Sequence, residues 1–382
     1  MFSQKSLDDF CKSCLCCYIG EEMSTKINFD IGIVKKINVN SFKNILVLTG
    51  TQYSLEIFEK QIASKIKTKY HVFHSIPASL TDNIVYSVLN YCYGKKIDCI
   101  ITVGPGSVMN CGRLISLLLS HGGFLHDYVP GGTLGPYGVT GNMLYHITVP
   151  TMPAAGYEIT NNVEVKIGAE KHIISSPNFI PQETYIDPQI MTNLPSDLWA
   201  VNGFDCFATA LMAYVSRYAN PTSDEYAMNA LNTYLKYSGK LLKDPNNIEY
   251  IKQMCTASMN SFLATNFSSV GAIHAITHAV AAKFGFRFGT ALAILAAEVC
   301  DYCYDSNKNR FDEITKMLGG KNIKQAIKGL IGQMDIKVPS IKKQLDQSIL
   351  EKLAYASMNP AMQGNAKELA IEDVITILRR LP

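Results

Sequence analysis

Residues Asp98–Ser116 read DCIITVGPGSVMNCGRLIS. The apolar, β-branched run Asp98–Val103 reads as a buried strand. It ends in Gly104-Pro105-Gly106-Ser107 and passes directly into the helical run Val108–Leu119. Glycines at a strand-to-helix turn let a phosphate approach the backbone, and the helix N-terminus offers free N–H groups and a partial positive charge. Such a turn is also a common tight connection, so the segment alone leaves both readings open.

The same rhythm continues on either side. Asn44–Thr49 (NILVLT), Tyr70–Ile76 and His146–Thr151 read as further buried strands, with helical patterns at Tyr53–Lys65 and Thr81–Tyr93 between them. Strands alternating with amphipathic stretches indicate a parallel α/β domain. A Gly/Pro-rich irregular region follows at Val129–Gly141, with β segments around Val163–Pro177. Near Asn193–Asp197 the character changes, and Leu198–Tyr214, Asp224–Leu242, Asn246–Ala264, His274–Lys283, Thr290–Tyr304 and a segment opening near Ile371 all carry helical periodicity. The expected organisation is an extension over 1–26, a nucleotide-type α/β domain over 27–194 and an all-helical domain over 195–382, without internal repeats or low-complexity tracts.

A chain of 382 residues, 47% hydrophobic and 18% charged, is long and apolar enough for two cores and too structured to be disordered. Its net charge of +3 provides no basic stripe for nucleic acid. No apolar run is read as a membrane span, and Lys5, Asp8 and Asp9 stand where a signal peptide would be apolar, so a cytoplasmic location is expected. The 11 cysteines are then free thiols. Cys11, Cys14, Cys16 and Cys17 form a cluster that could hold a soft metal or be acylated, but a second ligand pair is missing nearby.

In the helical half, Asp205 opens GFDCFATALMAYVS as either a helix cap or a site residue. His274 and His278, four apart in GAIHAITHAVAA, project from one face of an apolar helix as core histidines or as functional ones.

Together these segments resemble the iron-containing alcohol dehydrogenase family, which shares the dehydroquinate synthase-like fold. The likeness runs from about Ile27 to the C-terminus through ILVLTG, ITVGPGSVMNCGRLIS, VPTMPAAGYEIT, Lys171, YIDPQIMTNLPSDLWAVNGFDCFATALMAYVS, VGAIHAITHAVAAKFGFRFGTALAILAAEV and the closing QGNAKELAIEDVITILRRL. It implies a nicotinamide cofactor, a homodimer, and an iron or zinc ion held by one Asp and three His that polarises the alcohol or carbonyl oxygen. Carried over residue by residue, the surviving ligands are Asp205 and His274, and His278 matches the histidine placed near the nicotinamide and proton path. Thr209 and Phe288 stand at the other two ligand positions, so the metal site reads as degenerate and a tightly held ion is not expected.

The resemblance assigns the cofactor to Gly50, Gly104, Gly106, Ser107, Asn110, Thr151, Glu158 and Lys171, with Arg113 keeping the charge of a usual lysine. Pro105 removes one backbone N–H, and Met152 and Ala155 stand where hydroxyls normally contact the cofactor. Gly50 lacks the carboxylate that NAD-preferring members carry for the ribose, which favours NADP over NAD. Arg287, next to the lost ligand at Phe288, either serves an alkoxide or acidic substrate or pairs with a surface acid. The expectation is a metal-independent NAD(P)H-dependent oxidoreductase acting on a small carbonyl or alcohol, with His278 and His274 as proton donor and carbonyl polariser. The alternative is a catalytically retired or repurposed member that binds a small molecule or a partner.

Overall fold

A computed structural model describes residues 25–382 apart from 154 and 169. The cluster Cys11, Cys14, Cys16 and Cys17 lies outside the described residues, as does the extension up to residue 24. The chain forms two compact units, one ending at Met191 and the other running Thr192–Pro382.

The first unit is built on a six-stranded, wholly parallel sheet in the order β1-β8-β5-β4-β2-β3. Its strands are β1 (Lys26–Phe29), β2 (Asn44–Thr49), β3 (Lys69–Phe73), β4 (Cys99–Gly104), β5 (Tyr145–Pro150) and β8 (Glu183–Ile186); β6 (Asn162–Ile167) and β7 (Glu170–Ser175) pair antiparallel as a separate hairpin. Every residue of β4 is buried, as a central parallel strand covered on both faces requires. Between them run α1 (Gln52–Ile57), α2 (Asp82–Tyr91) and α3 (Gly106–His121). From β2 the chain moves outward to β3, then returns to β4 and proceeds the other way to β5. The ends of β2 and β4, at Gly50 and Gly104–Ser107, therefore flank a topological switch point, where open α/β sheets bind ligands.

Local details depart from the sequence reading. The strand expected over Tyr70–Ile76 stops at Phe73, and Ser75 takes a left-handed φ of 71°. The helix expected over Tyr53–Lys65 is α-helical only to Ile57 and continues as wider and then tighter turns to Lys65. The four-residue strands β1, at the sheet edge, and β8, beside it, carry polar residues and left no apolar run to read.

The second unit is helical: α4 (Ser196–Val215), α5 (Pro221–Lys243), α6 (Ile248–Phe267), α7 (Ala272–Phe284), α8 (Phe288–Cys303), α9 (Lys308–Met317), α10 (Ile323–Gln333), α11 (Gln347–Ser357) and α12 (Ile371–Arg379). α4 is the central helix, packed against α5, α6 and α8. By length and composition it is apolar enough to cross a bilayer, contrary to the sequence reading, but 89% of that stretch is buried inside the unit, as a core helix would be. Asparagine and aspartate caps start the outer helices: Asn220, Asn247, Asn322 and Asp346 each accept a first-turn N–H. α7 starts at Gly271 without a cap from its own N-cap side chain, and the Ala272 N–H is taken instead by Asn365 Oδ1, 3.1 Å away.

Candidate functional site

Seven of the eight residues assigned to the cofactor meet around the start of α3. Close packing decides the glycines there. A Cβ on Gly104 would stand 2.7 Å from Val108 Cγ2, and one on Gly50 would stand 3.0 Å from Val108 Cγ2 and 3.1 Å from the Ile76 carbonyl. Gly50 therefore lies against the turn, with no room for a side chain unless its neighbours move. The N-cap of α3 is Pro105, which provides no side-chain hydrogen bond to the first turn. Ser107 Oγ is buried with no hydrogen-bond partner among the described residues. An uncapped helix start beside an unsatisfied hydroxyl is a suitable environment for phosphate oxygens.

Arg113 locks the surrounding loop in place. It is 1% exposed, donating from Nε to the Phe179 carbonyl (2.9 Å), from Nη2 to the Tyr157 carbonyl (2.8 Å) and from Nη1 to Asn110 Oδ1 (3.3 Å). Burial lowers its guanidinium to about 9, a shift opposed by the charge of Glu158. Glu158 is buried too: desolvation raises its carboxyl to about 7 against the pull of Arg113, and Oε2 has no hydrogen-bond partner among the described residues. Thr151, also buried, reaches back through its N–H to the Gly104 carbonyl at 3.4 Å. Lys171 lies on β7 and is engaged by Glu164, Nζ to Oε2, at 2.5 Å. It joins the turn through a residue that the sequence reading missed. Glu164 Oε1 accepts the Tyr157 hydroxyl at 2.7 Å, and the Tyr157 ring lies against Gly106, where a Cβ would come within 3.2 Å of Cδ1. The sequence signal was available, since Tyr157 is an aromatic residue between Gly156 and Glu158 in a loop otherwise read position by position.

The helical unit holds the other set. Asp205 and Thr209, one turn apart on α4, face His274 of α7. The Thr209 hydroxyl lies 3.3 Å from Asp205 Oδ1 and 3.0 Å from His274 Nε2, and Nε2 is 3.7 Å from Oδ1. A hydroxyl has one proton. With that proton on Asp205, His274 Nε2–H is the donor to Thr209, and Nδ1 is the ring nitrogen left over, an acceptor in the neutral ring and a donor in the imidazolium. Nδ1 is buried and has no hydrogen-bond partner among the described residues. The Phe288 ring, at the start of α8, stands 5.9 Å from the His274 ring and 4.8 Å from the His278 ring. Its position is fixed by Gly289, where a Cβ would fall 2.2 Å from the Val201 carbonyl of α4.

This donor set does not fit a tightly held iron or zinc. Among the described residues, no group of three or more His, Cys, Asp or Glu is placed to hold a metal. Asp205 and His274 are already joined by a neutral hydroxyl, with an aromatic ring beside the histidine. Arg287 does not join this cluster: its guanidinium pairs with Asp197 at 3.0 Å, with the two side chains 59% and 66% exposed. Of its two readings from sequence, the structure places the residue in the surface pair, because Arg287 is the N-cap of α8 and Asp197 lies in the exposed first turn of α4.

A second residue missed in the sequence is Asn365. It is 2% exposed and ties the C-terminal segment to α7: Oδ1 accepts the Ala272 N–H, and its carbonyl accepts Arg217 Nε at 2.9 Å. The helix bearing His274 and His278 is thus positioned from a segment about ninety residues further along.

Residues 24–188 match the iron-containing alcohol dehydrogenase family, and residues 199–381 match the Fe-containing alcohol dehydrogenase family, C-terminal. The chain is 27% identical over 322 residues to the 1,3-propanediol dehydrogenase of Klebsiella pneumoniae, covering 78% of this chain and 81% of that one. It is 22% identical over 372 residues to the NAD-dependent methanol dehydrogenase of Bacillus methanolicus, covering 91% and 96%. Among solved structures, a 1,3-propanediol oxidoreductase superposes with a TM-score of 0.81 at 21% identity, over 93% of this chain and 97% of that one. Sulfoacetaldehyde reductase from Bifidobacterium kashiwanohense in complex with NAD+ does so with a TM-score of 0.82 at 19% identity, over 94% and 96%. At such identities the structural likeness establishes the fold. The chain belongs to the iron-containing alcohol dehydrogenase family.

Proposed function

We propose that this member of the iron-containing alcohol dehydrogenase family is a metal-independent, NAD(P)H-dependent oxidoreductase of a small carbonyl compound or alcohol, working as a cytoplasmic homodimer. The observation that carries the reading is Thr209. Its hydroxyl bridges Asp205 and His274 at 3.3 and 3.0 Å in place of a third ionisable ligand, while the Gly104–Ser107 turn keeps an uncapped helix start.

The dinucleotide, when bound, supplies or receives the hydride. The backbone of Gly104, Gly106 and Ser107 would hold its phosphates, with Asn110, Thr151, Glu158 and Lys171 as supporting residues. The crowding at Gly50 leaves no place for a ribose-binding carboxylate, which supports NADP over NAD. His278 is assigned as proton donor and His274 as the group that polarises the carbonyl, through Nδ1–H of its imidazolium form while Nε2–H stays held by the Thr209–Asp205 chain. A carbonyl oxygen that gains negative charge is then met by fixed protein donors instead of a Lewis acid.

The packing of Tyr157 on Gly106 favours a second reading, a repurposed scaffold that binds a different small molecule or a partner. One titration separates the two. NADPH and NADH are added to chelator-treated protein, followed by nucleotide fluorescence, with metal analysis of the untreated sample. Binding without metal, tighter for NADPH, is the expected result; no binding up to millimolar nucleotide leaves the repurposed scaffold.

A further inference from the structure

We infer that Tyr157 gates the phosphate turn, and that the chain Tyr157–Glu164–Lys171 holds the gate closed. The inference rests on the reading of Gly104–Ser107 as a dinucleotide site. Tyr157 is half-buried, and its ring occupies the open side of Gly106, the face a diphosphate would need for close backbone approach. The ring is tethered at its far end: its hydroxyl donates to Glu164 Oε1 at 2.7 Å, and Glu164 Oε2 is held by Lys171 Nζ at 2.5 Å. Both partners lie on the β6–β7 hairpin, across the register pair Lys166–Lys171. A residue assigned to the cofactor is thus occupied by the tether while the gate is shut.

The main chain around the ring does not have the same freedom. The Tyr157 carbonyl is held by Arg113 Nη2 at 2.8 Å, and the Glu158 carbonyl by Thr148 Oγ1 at 2.9 Å. Opening is therefore a rotation of the side chain, and it breaks the charge-assisted hydrogen bond to Glu164. A bond of that class shifts an equilibrium about tenfold or more, so the open form is the minor one and apparent affinity is lowered by its fraction. Opening releases Tyr157 from Glu164 and leaves Glu164 and Lys171 to rearrange toward the ligand.

The test is stopped-flow and equilibrium titration of NADPH into the full-length wild type, Tyr157→Ala and Tyr157→Phe, with a thermal melt of each. Tyr157→Ala is expected to bind at least about tenfold tighter, with the gain in the association rate and an unchanged dissociation rate, because a gate acts through the open fraction. Tyr157→Phe keeps the ring and loses the tether, so it falls between. Equal or weaker binding by Tyr157→Ala with a native melt overturns the gate and leaves the dinucleotide reading standing. If Tyr157→Ala binds and the wild type does not, the gate stands and the reductase reading of the wild type falls. If neither binds, both fall. Should Tyr157→Ala not fold, Glu164→Gln, which removes the charge from the tether and with it the ion pair to Lys171, is judged by the same criteria.

Discussion

The Gly104–Ser107 turn and the Asp205–His274 face present their polar groups in opposite ways. The turn offers backbone groups: Pro105 brings no N–H, yet α3 starts uncapped beside an unsatisfied Ser107 hydroxyl. The face offers side-chain atoms alone, and Thr209 and Phe288 make it a hydrogen-bonded pair packed on a ring. Backbone sites degrade gradually because the fold itself supplies their donors. Side-chain sites depend on ligand number and fail abruptly below it.

The largest expected effect comes from adding two imidazoles to this face. In Thr209→His/Phe288→His, both new imidazoles would stand beside Asp205 and His274, since position 209 is one turn from Asp205 and the Phe288 ring already touches both histidine rings. Affinity for zinc or cobalt should rise on the order of a thousandfold over wild type, with a tetrahedral cobalt spectrum. A wild-type sample that retains one equivalent of iron or zinc after dialysis against chelator would break the comparison at its root.

The next effect lies in the first unit and depends on pH. Glu158 has a carboxyl raised to about 7 by burial, against an ordinary value of 4.5. The folded state therefore binds a proton that the unfolded state has released, and stability contributed by the neutral form is present below pH 4.5 and lost as pH rises through 7. His146 slopes the other way: burial, with the Arg113 charge, holds its imidazole well below 6.5, so its contribution is lost as pH falls below that value. Glu158→Gln removes the first slope and keeps the second. In denaturant melts, the variant should gain on wild type progressively between pH 5 and 8, by about 1–3 kcal/mol at the upper end. A constant difference across that range would mean that Glu158 is ionised throughout.

Asn365→Ala sharpens the other half of the comparison. Loss of the Oδ1 acceptor leaves the Ala272 N–H buried and unsatisfied at the start of the histidine helix, a cost of about 1–2 kcal/mol in urea melts. Asn365→Asp keeps an acceptor there and should recover most of it. Equal losses in the two variants would show that the amide donors to Cys303 and the Lys367 carbonyl, not the cap, carry the role.

Much of this was legible in the sequence, for reasons that particular residues make plain. NILVLT, DCIITV and the strand at His146 announce themselves because a parallel core strand is apolar on both faces, and α3 to α8 follow from long apolar periodicities. Ser75 ended β3 early through a backbone conformation that its side chain does not encode. ETYI of β8 was passed over because a four-residue strand whose Glu183 carboxylate is held by Tyr145, Tyr185 and Asn28 looks polar in sequence. The sequence marked Asp205, Thr209, His274 and Phe288 by position alone. That Thr209 bridges Asp205 and His274, that Tyr157 lies on Gly106 and that Asn365 caps α7 are contacts over long sequence separation or between loop side chains, which no periodicity reports.

Arg287 gives the smallest expected effect and the finest test of the second unit. If its guanidinium serves only Asp197, the pair lies in water, with both side chains more than half exposed. Such a pair is screened by salt and weakened by side-chain entropy, and contributes about 0–1 kcal/mol. Arg287→Ala should therefore leave the melt within about 0.5 kcal/mol of wild type, with KM and kcat for any accepted substrate unchanged. Arg287→Lys tests the same point by charge: a guanidinium that clamps a substrate carboxylate does so bidentately, and lysine cannot replace it. A rise in KM for acidic substrates in both variants, with kcat held, would move Arg287 from the surface pair back to the substrate and would identify the ligand class from a residue whose resting partner is solvent-exposed.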